Sequence, residues 1–258
     1  MAVLGVVAEV YPQFFLTKSQ TWVPPMDGNI CIHVIGAGGG GAGTDFYSGG
    51  AGGYSKKTSL AVTTGGSFVV VIGVGGAGAG GAASGGDGGA STVAGTGLSS
   101  TLTANGGAGG NYNGSAQGGG GSASGGNVNY TGGAGNGEGG GAVGVYGTGA
   151  SGVGQYGGQT DAGSSQAGLA NSAYGVITGG LSGTNNYGYD VDNNTPNATP
   201  NGGDLSGGAR CRAATNNVIS GTSTIGGGGA CAYSTAAYGS SIGGKGGAGL
   251  VLIQYLPW

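Results

Sequence analysis

Between residues 105 and 174 the only large aliphatic side chains are Val128, Val143, Val145, Val153 and Leu169. An ordinary hydrophobic core cannot be assembled from so few. The stretch from 110 to 141, GNYNGSAQGGGGSASGGNVNYTGGAGNGEGGG, instead carries fifteen glycines in 32 positions. What such a chain has left to pack is its backbone. Every buried N–H and C=O needs a partner, and glycine has no side chain to hold neighbouring chains apart.

Extended left-handed glycine helices of three residues per turn make no internal hydrogen bonds, so their amides point outward and bundled rods can satisfy one another. The tracts 38–43, 75–81, 85–89, 106–110, 118–121, 132–141, 226–229 and 243–249 fit short rods of this polyglycine II kind, with loops between them. Ordering each glycine costs about 0.5–1 kcal/mol more than ordering alanine. Dense hydrogen bonding and close contact must offset that cost.

Glycine at this density nearly excludes α-helix, at about 1 kcal/mol per position against alanine, and no segment has a helical period. Four short Val- and Ile-rich segments read as strands: Val3 to Val10, Ile30 to Ile35, Phe68 to Val74 and Leu250 to Tyr255. A weaker strand at 54–64 runs through Gly65-Gly66 into SFVVVIG, a hairpin signal with a two-glycine turn. The expected fold is all-β and irregular: a small sheet of 30–35, 54–63, 68–74 and 250–255 packed with a bundle of polyglycine II helices, with virtually no α-helix. Residues 1–20 form a leading segment. Residues 21–258 make one glycine-rich domain: a strand-rich part (21–104), a glycine array with variable loops (105–248) and a closing strand (249–258).

Disorder is the competing expectation, because 73 glycines and 6 prolines are about 31% of the 258 residues. Disordered chains, however, resist collapse through charge, and here 6% of residues are charged while 37% are apolar. Order is therefore expected. A net charge of −3 with six scattered basic residues gives no patch to neutralise phosphates, so nucleic acid is not an expected partner. The first residues lack the basic start of a signal peptide, and no apolar run is long enough to span a bilayer. Cys31, Cys211 and Cys231 cannot all pair within the chain and lack metal-site spacing, so they read as reduced thiols.

The ordered series TWVPPMDGNICIHVIGAGGGGAG (21–43), GGYSKKTSLAVTTGGSFVVVIGVGGAGAGG (52–81) and GGKGGAGLVLIQY (243–255) resembles the glycine-rich domain of bacteriophage tail-fibre and tail-tip proteins over roughly 21–255. It is also similar to the receptor-binding adhesins of T-even-like phages. In these, glycine motifs pack as a polyglycine sandwich and variable loops contact a receptor on the host's outer membrane. The resemblance implies a virion protein with two partners: a bacterial surface receptor, protein or polysaccharide, and another tail or fibre protein met through residues 1–20. A homo-oligomer is compatible with it. The apolar VLGVVAEVYPQFFL lies before the glycine block, so a chain lacking 2–18 is expected to remain a folded block that no longer joins particles.

The loops between tracts are the candidate binding elements. They bring Phe46 and Tyr47 (44–48), Tyr112 (111–117), Tyr130 (127–131), Tyr146 (145–148), Tyr156 (155–157), Tyr187 and Tyr189 (185–201), and Tyr233 and Tyr238 (232–241). Tyrosine among Ser, Gly and Asn is the composition of antibody paratopes: rigid amphipathic rings give contact area at low entropy cost and small polar residues adapt their hydrogen bonds. The bland alternative is that these rings plug gaps with the hydroxyl at the surface. Loop 185–201, the longest, adds Asp190 and Asp192 and is the expected receptor tip.

Other motifs fail on context. GAGGGG (36–41) satisfies Gly-x-Gly-x-x-Gly but opens no helix, and GSSIGGKG (239–246) has Gly246 where a phosphate loop needs Ser or Thr. Asp190, Asp192 and Asn194 have alternate calcium-loop spacing, but Thr195 and Asn201 occupy the places of the turn glycine and the closing glutamate. No cofactor, metal or catalytic cluster is expected, and His33, the only histidine, reads as structural. Trp22 before Pro24-Pro25 reads as core packing. Two other functions fit a glycine array, a purely structural tail component and an ice-binding bundle; irregular tract lengths and interspersed tyrosines argue against the second.

Overall fold

The computed structural model describes residues 11–43, 47–112, 117–135, 148–149, 151, 225–229 and 242–257, together with the backbone pairing of 213–214 with 233–234. The described chain is all-β, in twelve strands: β1 (Gln13–Leu16), β2 (Gln20–Trp22), β3 (Gly28–Ile35), β4 (Tyr54–Val62), β5 (Phe68–Val71), β6 (Ser91–Gly95), β7 (Leu102–Ala104), β8 (Ala123–Ser124), β9 (Val128–Tyr130), β10 (Ala213–Ala214), β11 (Tyr233–Ser234) and β12 (Leu250–Tyr255). There is no helix among the described residues, and so none long and apolar enough to cross a membrane.

Two antiparallel five-stranded sheets carry the strands, in the orders β1-β12-β3-β4-β9 and β2-β5-β6-β7-β8; β10 and β11 pair separately and in parallel. Alternation decides which faces meet. Ile30, Ile32 and Val34 of β3, Val251 and Ile253 of β12, and Leu60 and Val62 of β4 turn inward from the first sheet. Trp22, Phe68, Val70, Val93 and Leu102 meet them from the second. The outer face of the second sheet is open: Val69 and Val71 are 56% and 42% exposed. Strands β3 and β12 are buried on both faces, which accounts for the unbroken apolar runs ICIHVI and LVLIQY.

The Gly65-Gly66 hairpin does not form. Strand β4 pairs with β3 and β9, and β5 pairs with β2 and β6, so the turn closed by Gly66 N–H donating to Thr63 O (2.9 Å) passes the chain from one sheet to the other. Both strands carry an apolar face, and opposing the two faces buries both at once, where side-by-side pairing would leave a single sheet needing another layer. The expected single sheet is thus two. Expected strand 68–74 ends at Val71, where the glycine tract takes over. Trp22 is buried as expected, with ring centroids 5.5 Å from Phe14 and 5.6 Å from Phe68. Residues 13–16, read from sequence as part of a leading segment, are the edge strand of the first sheet, in register with β12 from Gln13↔Gln254 to Leu16↔Val251. The expected strand at 3–10 lies outside the described residues.

Strands β3, β5, β7 and β9 run on into glycine tracts, and β4, β6, β8 and β12 emerge from them. The donors of the tract 36–43 divide three ways with a three-residue period: Gly36, Gly39 and Ala42 donate to Gly53, Gly50 and Tyr47; Ala37, Gly40 and Gly43 to Gly89, Gly86 and Ala83; Gly38 and Gly41 to Gly247 and Gly244. Its carbonyls accept from Gly76 and Ala79, from Gly107 and Gly110, and from Gly229. That is the periodicity an extended helix of three residues per turn imposes. Six tracts therefore ring 36–43, alternating in direction: three antiparallel ones accept from its N–H groups and three parallel ones donate N–H groups to its carbonyls. They also bond to one another, as in Gly50 N→Ala108 O, Gly88 N→Gly107 O, Gly86 N→Ala77 O, Gly246 N→Gly76 O, Gly247 N→Gly227 O and Gly49 N→Gly229 O. Residues 118–122 and 132–135 extend the array beyond 47–53 through Ala108 N→Gly119 O, Gly121 N→Ala51 O and Ala51 N→Gly133 O. The result is a core built mostly of backbone, with Ala37, Ala42, Ala51 and Ser48 as its fully buried side chains, continuous with the sheet core below it.

Candidate functional site

The alternation of tract directions gives the described chain two poles. Four strand-to-strand turns lie at the sheet pole: 23–27, 63–67, 96–101 and 125–127; the turn 17–19 lies instead where the second sheet meets the array, its Ser19 Oγ accepting from Ile72 N–H (2.9 Å). The first and last described residues are there too, where Tyr255 N–H donates to Pro12 O (3.0 Å) and Leu256 N–H to Asn29 O (2.8 Å). The far ends of the tracts are at the other pole. Chain ends meet there through Ala42 N→Tyr47 O, Gly43 N→Ala83 O, Gly85 N→Gly110 O, Gly118 N→Ser48 O, Gly135 N→Gly118 O and the bridge between Gly80 and Ile242.

Of the tyrosines singled out from sequence, Tyr47 and Tyr112 stand at this loop pole, both half-buried. Ser84 joins them: its Oγ accepts from Tyr112 N–H (3.0 Å) and donates to Asn111 Oδ1 (3.1 Å). Exposed Asn111, Gln117 and Ile242 also lie at this pole, and Asp87 and Lys245 stand three residues along their tracts from Ser84 and Ile242. The described part of this surface can offer rings, hydroxyls and amides to a ligand. Ser84 and Asn111 were not picked out from sequence. The signal that would have found them is the phase of the non-glycine residues, developed below.

Tyr130 is elsewhere. It sits on β9 at the base of the array, its ring stacked on that of Tyr54 at 6.0 Å and 10°. Tyr233 lies on β11, paired with Ala213. Phe46, Tyr146, Tyr156, Tyr187, Tyr189 and Tyr238 lie outside the described residues, as do Asp190, Asp192 and Asn194 of loop 185–201.

Among the described residues a buried polar cluster lies on the face of the first sheet turned away from the inter-sheet core. His33 Nδ1 lies 2.6 Å from Tyr54 Oη, and His33 Nε2 lies 3.1 Å from Gln254 Oε1 and 3.3 Å from Cys31 Sγ. An amide oxygen only accepts, so the imidazole proton sits on Nε2 and Tyr54 O–H donates to Nδ1. Burial, reinforced by the Lys56 charge, lowers the His33 pKa to about 4, and burial raises that of the free thiol Cys31. The imidazole is held neutral with both nitrogens bonded, a structural use. Residues 36–41 are wholly buried in the central tract, leaving no room for a dinucleotide.

Residues 16–256 match the glycine-rich domain family. The chain belongs to that family. Comparison with curated proteins finds no match. For this glycine-rich domain the matched span begins at Leu16, inside β1, and takes in both sheets and every tract described above.

Proposed function

We propose that this glycine-rich domain is a bacteriophage tail-fibre or tail-tip adhesin that recognises a receptor on the bacterial surface through the loops between its tracts. The observation that carries the reading is the polarity of the described chain: the far ends of the tracts at one pole, four of the strand turns and both described chain ends at the other. A rigid scaffold with variable loops at one end is the arrangement in which binding resides on loops. Tyr47 and Tyr112, among Ser84, Asn111 and Gln117, supply the aromatic and amide groups suited to a paratope-like surface. The opposite pole, where the described chain begins and ends, is suited to attachment to another virion protein.

Purified protein added to host cells before infection tests this directly. Reduced phage adsorption is the expected result; unchanged adsorption at saturating protein favours the second reading, a structural tail component whose array is a spacer.

A further inference from the structure

The hydrogen-bond phase of β1 leaves part of its backbone open. Tyr255 N–H donates to Pro12 O, so in the antiparallel ladder with β12 the backbone groups of residues 12, 14 and 16 turn toward β12 and those of Gln13 and Phe15 turn away from it. Strand β1 is the edge of the first sheet, and among the described residues no strand lies beside it. Gln13 and Phe15 therefore each present an N–H and a C=O outward, about 6.8 Å apart along the strand. The Phe15 side chain stands beside them, 51% exposed, while Leu252, its partner on β12, is buried.

Natural edges are commonly blunted by a lysine, a proline, a bulge or extreme shortness. The edges on the other flank follow that rule, β8 having two residues and β9 three. Strand β1 has four, QFFL, in unbroken register and with no charge or proline among them. What fits such an edge is an extended backbone, because it returns a C=O and an N–H at the same repeat. Side chains opposite Phe15 would lie on the face turned away from the inter-sheet core, and those opposite Phe14 against the rim of that core, where Phe14 packs on Trp22 and Tyr255. The fitting segment is therefore apolar on both faces, as β12 is on the other side of β1. The next charge along the chain is exposed Lys18, so a carboxylate at the N-terminal end of an antiparallel segment completes the match.

We infer, resting on the virion reading above, that the free edge of β1 is where the other virion protein docks, by adding an extended apolar strand antiparallel to β1. The edge begins at Pro12 beside Tyr255, at the pole where that reading puts attachment. Main-chain bonds to Gln13 and Phe15 give the contact its affinity, and the apolar residue opposite Phe15 gives it specificity. The tyrosine-bearing pole at the far ends of the tracts is left free for the receptor.

The experiment measures amide exchange at Gln13 and Phe15 in the full chain, free and in purified phage particles, together with the behaviour of a Phe15→Pro variant. In the free chain both amides exchange fast at every concentration. In particles they slow roughly tenfold or more, while Phe14 and Leu16, already bonded to β12, change little. Proline at position 15 removes only an outward N–H, which an edge strand tolerates. That variant is expected to melt like the unaltered protein and to reduce adsorption when added to host cells as the unaltered protein does, but to be lost from particles. Slow exchange at Gln13 and Phe15 in the free chain overturns the inference: if independent of concentration, the chain's own leading residues hold the edge, and if dependent on it, a second copy does. Particles in which both amides exchange as in the free chain overturn it and leave the virion reading standing, and so does normal incorporation of Phe15→Pro. A chain that never enters particles overturns both. If Phe15→Pro does not fold, the exchange comparison on the unaltered chain decides.

Discussion

Tyr54 Oη and His33 Nδ1 lie 2.6 Å apart, joining β4 to β3 where the first sheet meets the glycine array. Protonating the imidazole puts a second donor opposite the Tyr54 hydroxyl and places a cation in a buried site beside Lys56. With its pKa at about 4 in the fold against 6.5 for a free histidine, the unfolded chain binds more protons between those values. The stability linked to His33 is therefore complete above pH 6.5, falls as pH drops and is exhausted near pH 4, a loss of about 3 kcal/mol. Urea midpoints should show a steeper fall across that window in the unaltered protein than in His33→Gln. Parallel profiles would refute the linkage.

Neighbouring glycines should respond in opposite ways. A Cβ on Gly120 would fall on the Gly132 carbonyl, whereas Gly119 faces open space. Gly120→Val is expected to cost about 3 kcal/mol by overpacking. Gly119→Ala should stabilise by roughly 0.4–1 kcal/mol, because it restricts only the unfolded chain. Thermal melts of the two variants suffice; equal behaviour would contradict the closed packing of tract on tract.

Removing residues 2–18 should now destabilise the fold, contrary to the expectation from sequence. The deletion takes away β1, hydrogen-bonded to β12, together with buried Leu16 and with Phe14, which packs on Trp22 and Tyr255. Leu16→Ala alone should cost about 2–4 kcal/mol. A truncated chain melting at the original temperature would show that β1 contributes nothing.

Tyrosines at the two ends of the tracts should separate binding from stability. Tyr47→Ala with Tyr112→Ala is expected to lower host adsorption at least tenfold with little change in melting, as for aromatic anchors of an interface. Tyr130→Ala should lower stability by about 1 kcal/mol or more through loss of the stack on Tyr54, and leave adsorption unchanged. The Tyr187→Ala, Tyr189→Ala pair tests loop 185–201 in the same assay. If every loop change leaves adsorption intact, the structural reading takes over.

The sequence alone determined the all-β class, the strands around ICIHVI and LVLIQY, the burial of Trp22 and the need for backbone to pack on backbone. Each of these follows from local chemistry: β-branched runs, alternation, or the absence of side chains from which a core could be built. The exchange of Gly65-Gly66 from hairpin to sheet crossing, the recruitment of β1 to the edge of β12 and the seating of Tyr130 on Tyr54 were decided by tertiary structure. They depend on which apolar faces oppose one another across the core, and a local turn signal does not carry that. The phase of Ser84, Asp87, Asn105 and Ala108 lies between the two cases. It is written in the sequence as a non-glycine at every third position, but it acquires meaning only once the array shows which side of each tract is closed by a neighbour and which is left to solvent.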